Sequence, residues 1–416
     1  MSDLAKELDD LAKSMSAITI STFVATGPSF LKRLPTELIA KVGETCQDYD
    51  STTGIVQSRG DLCALASTGR SVRRACYSVL FKDVRRHVPE AELFHALVAI
   101  DRNQKIKEHI RTFDLTTKHD IRSGVTGDRT NARVLAALLK DLPDLCELRL
   151  QLEGSKLNSA LLQELVSLPA TMPLVQTFSY GPQLCPASVA DFDFMPKSLP
   201  AVRRLRLEIA MDPPSDVRVI NTSLQPPQTV KVIPFEAAVS DYLRELPLET
   251  LQLRKRDWTV DELRRLVSIL EPMSKITYLL IDGIPTAPGL GWGDIFIMFR
   301  GLRLKYLALR VECNDYFHPQ AFPKVDVDDG DWITPSDRTL LGVAAGLFNS
   351  MPSLRAVFVK PVQGQQKVRR CLPEVKQDGK IRSRMDVTFD PYTVSSQIRF
   401  HLNQDGFPGL NFDTEA

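Results

Sequence analysis

The chain has 416 residues, 43% of them hydrophobic and 25% charged, which is ordinary for a globular protein and too long for one small core. Lys and Arg number 52 against 51 acids, so a formal net charge of +1 gives no bulk electrostatic case for nucleic acid or an anionic membrane surface. The seven cysteines are scattered, odd in number and never spaced C-x-x-C, which argues against a disulfide framework or zinc site and for reduced thiols. At the front, MSDLAKELDDLAKSM is acidic and lacks the basic-then-apolar order of a secretory signal. No run of about 18 uncharged apolar residues marks a membrane span. The expectation is a soluble protein of the cytoplasm and/or nucleus, with residues 1–30 a helical or flexible segment.

The next stretch, LPTELIAKVGETC, reads as a short helix. Pro35 suits a first turn, where its missing N–H has no partner to lose, and Glu37 is favoured there by the helix dipole. Ile39, Val42, Gly43 and Cys46 fall at i, i+3, i+4 and i+7, forming one stripe. After the polar loop QDYDSTTGIVQSRG, a second helix is predicted near Asp61, with Leu62, Leu65 and Ala66 inward. A third follows Gly69 and carries Val72, Cys76, Val79 and Leu80, with Phe81 and Val84 extending its apolar surface. Three short helices bury little surface alone, so a partner or a neighbouring domain is expected to complete them.

LPTEL followed by DLCALASTGRSVRRACYSVLFKDVR resembles the F-box, most closely its fungal form: Leu-Pro-x-Glu-Leu, then Leu-x-x-Leu-Ala, then a closing Leu-Phe-x-x-Val. The resemblance covers Leu34 to about Val84, and Gly69 stands where the family usually has Cys. It implies a module, placed at residues 31–86, that binds the adaptor subunit of an SCF-type cullin–RING ubiquitin ligase and through it the cullin. The adaptor-binding residues it implies are Leu34, Pro35, Leu38 and Ile39 in front and Leu62, Leu65 and Val72 behind.

Past His87 a six-residue pattern recurs, apolar at its first, fourth and sixth positions. It appears as IRTFDL from Ile110, LCELRL from Leu145, VQTFSY from Val175 and VRRLRL from Val202. It returns as LETLQL from Leu248, ITYLLI from Ile276, LKYLAL from Leu304 and LRAVFV from Leu354. The two widest intervals hold insertions near residues 211–233 and 312–333. L-x-x-L-x-L at this spacing is the strand signature of a leucine-rich repeat, here a degenerate one without the consensus Asn. Helical periodicity fills the gaps in ARVLAALLKDLPDL, SALLQELVSL, VDELRRLVSILEPM and SDRTLLGVAAGLFNSM, with caps at Asn131, Thr259 and Thr334-Pro335. Strand alternating with helix predicts a parallel sheet with helices outside. The fold expected is thus α+α/β: a three-helix module, an irregular α/β solenoid over 87–360, and a tail or cap over 361–416. A conventional α/β enzyme fold is the competing reading, which eight strands in one register disfavour.

Catalytic tools are hard to find. The six His are isolated and form no H-E-x-x-H pair, and neither a G-x-S-x-G elbow nor a P-loop occurs. GLGWGD places Asp294 where a dinucleotide fingerprint needs its last Gly, so it reads as a turn. VDVDDGD, Val325 to Asp331, lacks the twelfth-position Glu of a calcium loop and reads as an acidic insertion. The basic clusters Arg203, Arg204 and Arg206; Arg254, Lys255 and Arg256; and Arg369 and Arg370 lack interleaved aromatics, and read as solvated or partner-facing surface. No enzyme activity, cofactor or metal is expected.

The fifth position of each motif is predicted to face outward, on the concave side. These residues are Asp114, Arg149, Ser179, Arg206, Gln252, Leu280, Ala308 and Phe358. The drift from charged to apolar points to a contact surface at the C-terminal half, made of Tyr278, Leu280, Tyr306, Ala308, Arg310 and Phe358, with Trp332 nearby. The alternative is that the acidic insertion or the tail folds over it. The function expected is substrate recognition within a ubiquitin ligase complex, with an unidentified client on the repeats and no nucleic-acid or membrane partner. A repeat scaffold without a ligase is the second reading.

Overall fold

The computed structural model describes residues 35–45, 48–49, 56–58, 60–118, 128–152, 155–167, 172–181, 192, 194–208, 239–255, 258–282, 292–311, 335–361, 368–375 and 381–389. Leu34, both insertions and residues 390–416 lie outside them.

Three helices open the fold: α1 (Thr36–Thr45), α2 (Gly60–Ser67) and α3 (Arg70–Leu80). Between α1 and α2 lies the short antiparallel pair β1 (Asp48–Tyr49) and β2 (Val56–Ser58). The Pro35 carbonyl accepts from the Leu38 and Ile39 amides, both at 3.1 Å, and so closes the first turn of α1. Ile39 and Gly43, one turn apart, face inward. A Cβ on Gly43 would stand 3.0 Å from Leu62 Cδ1, which shows how closely α1 approaches α2 there. Ile39, Leu62, Ala66, Val72, Ala75, Cys76 and Val79 form a small core separate from that of the rest of the chain.

The chain leaves α3 and enters the main sheet at once, through β3 (Asp83–Pro89). The sequence boundary at 86/87 therefore cuts through a strand. β4 (Thr112–Lys118), β5 (Glu147–Leu152), β6 (Thr177–Tyr180), β7 (Arg204–Glu208), β8 (Thr250–Arg254), β9 (Tyr278–Asp282), β10 (Tyr306–Val311) and β11 (Ala356–Pro361) coincide with the eight motifs. Residues 361–416 were expected only as a tail or cap, yet they hold an antiparallel hairpin, β12 (Val368–Val375) and β13 (Ile381–Phe389), which lengthens the sheet. All eleven strands stand in chain order, with β3 to β11 parallel. This is an α/β solenoid-like fold built on one mostly parallel sheet.

The motif explains the sheet. Its first position is buried in every copy, from Ile110 and Leu145 to Leu304 and Leu354, and so are its fourth and sixth positions. These side chains form one continuous core with the helices between strands. Among those helices are α4 (Leu93–Asp101), α5 (Gln104–Lys107), α6 (Asp128–Lys140), α7 (Ser155–Ser167), α8 (Met195–Ser198), α9 (Tyr242–Glu245), α10 (Val260–Leu270), α11 (Trp292–Phe299) and α12 (Pro335–Ser350). α4 packs on α6, α6 on α7 and α11 on α12, while α12 also covers β11, β12 and β13.

The second motif residue adds a backbone ladder, its carbonyl taking two N–H groups from the next copy. Arg111 O receives the amides of Cys146 (2.8 Å) and Glu147 (3.0 Å), and Arg203 O those of Glu249 (2.8 Å) and Thr250 (3.0 Å). Lys82 O does the same for Arg111 and Thr112, which makes Phe81–Arg86 a further copy of the motif. The register runs unbroken past both insertions, Arg206 pairing with Gln252 and Ala308 with Phe358.

Helix starts agree in part with their predicted caps. Thr259 caps α10 in a reciprocal box, its amide donating to Glu262 Oε2 (2.7 Å) while the Glu262 amide donates to Thr259 Oγ1 (3.2 Å). Asn131 is no cap: α6 begins at Asp128 and Asn131 is buried inside it.

Candidate interaction surfaces

The helical module sorts six of its seven predicted contact residues into two sets. Pro35 and Leu38 are exposed, Leu38 at 36%, and Leu65 is half-buried. Ile39, Leu62 and Val72 are 3% exposed or less and belong to the module's own core, so they hold the three helices together and are not open to a partner. Helical periodicity finds the apolar stripe and leaves open whether the module's own helices or another chain covers it. Leu34 lies outside the described residues.

Strand alternation turns the third, fifth and seventh motif positions away from the helices. The fifth forms a register row of Arg85, Asp114, Arg149, Ser179, Arg206, Gln252, Leu280, Ala308, Phe358 and Arg370. The eight residues predicted to line this face thus do form one line, with a cation added at each end.

The two halves of that face differ. From β4 to β7 burial alternates along each strand, so one side is core and the other accessible. Within this accessible half Arg149 Nε donates to Glu147 Oε1 at 2.7 Å and its guanidinium stands 4.0 Å from Asp114 Oδ2. Partial burial raises the Asp114 carboxyl above the usual range, outweighing the lowering by Arg149, Arg85 and His87. Arg204, at a third position, is half-buried. Burial lowers its guanidinium pKa more than the charges of Glu147 and Glu249 raise it.

In the other half, β9 to β11 are buried on both faces. Tyr278 and Ala308 are fully buried, Phe358 is 2% exposed and Leu280 8%. These four were predicted as an open client-binding surface and are instead interior. The drift from polar to apolar along the row therefore marks where the sheet becomes two-sided. Burial pushes the Tyr278 hydroxyl well above its ordinary range. Tyr306 remains half-buried, its ring 6.4 Å from that of Tyr278, and Arg310 belongs to β10. Trp332 lies outside the described residues. Sequence reasoning named Arg204 only as part of a basic cluster on solvated or partner-facing surface and overlooked Thr177 and Thr250, although the third motif position turns all three outward.

Among the described residues no group of three or more His, Cys, Asp or Glu stands close enough to hold a metal. No described helix is long and apolar enough to cross a membrane. Of GLGWGD, the described part, Trp292 to Asp294, opens α11, and VDVDDGD lies outside the described residues.

No protein-family model matches this chain, and no curated protein matches it either.

Proposed function

We propose that the chain is an F-box protein of the fungal type with degenerate leucine-rich repeats, the substrate-recognition subunit of an SCF-type ubiquitin ligase. The observation that supports this best is the front module. Its helices close on a core of their own, yet α1 leaves Pro35 and Leu38, both from LPTEL, outside that core. The module is joined to a repeat sheet whose N-terminal half keeps an accessible polar face. Such a chain acts by proximity and does no chemistry itself: the module docks on the adaptor while the repeats hold a client near the ubiquitin-loaded enzyme, raising the local concentration of its lysines.

The test is co-purification of the adaptor with the full chain and with Leu38→Asp. Leu38 is already solvent-accessible, so this change should leave the fold intact while placing a charge in the docking face. The expected result is adaptor recovered with the full chain and lost with the variant, an apolar hot spot contributing about 2 kcal/mol or more. An intact chain that recovers no adaptor overturns the reading. A scaffold without a ligase then takes its place, favoured by one observation: α3 runs directly into β3, the edge strand of the sheet, so the helices are joined to it without a long linker.

A further inference from the structure

We draw no further inference here: the strongest candidate, the face of β9 to β11 that buries Leu280, Ala308 and Phe358 away from the helices, points to no partner, because nothing among the described residues shows what covers it.

Discussion

Lys107 has its aliphatic stem buried, at 5% exposure, while its ammonium reaches Asp101 Oδ1 at 3.1 Å and Asp141 Oδ2 at 3.4 Å on the rim. Burial lowers its pKa, but hydrogen bonds and charge from Asp101 and then Asp141 outweigh that, so the net shift is upward. A raised lysine stabilises the fold fully below its unfolded value of about 10.4 and loses that contribution as pH climbs through the higher folded value. Lys107→Met keeps the packing and drops the ion pairs. It should cost about 1 kcal/mol or less at pH 7, since both carboxylates are solvent-screened. Urea unfolding at pH 7 and pH 11 checks this: the gap between the two proteins should narrow at the higher pH, and a constant gap would mean that charge contributes nothing.

At the scale of elements, one substitution made in two neighbouring helices separates packing from propensity. Gly346 in α12 faces Phe296 of α11 so closely that an added Cβ would stand 2.1 Å from the ring carbon Cε2. Gly293, at the start of α11, has nothing within 4 Å of the same point. Gly346→Ala gains helix propensity of about 1 kcal/mol but forces Phe296 to move, so a net loss of about 1 kcal/mol or more is expected. Gly293→Ala should instead stabilise by about 0.5 kcal/mol. Thermal midpoints that move in opposite directions support this account, and matching shifts would show that Phe296 yields freely. The strands that were legible in the sequence show the same contest of local signal and packing. The eight motifs could be read because three of every six residues are buried in every copy. β3 was missed because Arg86 stands where the last apolar residue belongs. β12 and β13 were missed because VRRCLPEV and IRSRMDVTF, crowded with Arg, show neither period cleanly. The candidate site was legible in register only. Alternation tells which residues share a face, but what covers that face depends on distant parts of the chain, so Leu280 and Phe358 looked accessible and are not.

For the whole molecule the question is how many cooperative units the chain holds. The core of α1 to α3 and the core of the sheet are distinct clusters, joined by the short passage from α3 into β3. A unit of that size is marginal alone, whereas a repeat sheet shares its stability between neighbouring copies. Leu62→Ala removes a fully buried side chain from the small core, and Leu251→Ala removes one from the middle of the sheet. Each should cost about 2–5 kcal/mol, a sum the sheet can absorb and the module cannot. In hydrogen exchange, Leu62→Ala should therefore expose the amides of α1 to α3 while those of β5 to β8 stay protected, and adaptor recovery should fall with the module. Leu251→Ala should open β7 to β9 first and leave the module closed. Simultaneous loss of protection everywhere in either variant would make the chain one cooperative unit, in which the helices are a cap that the sheet needs in order to fold.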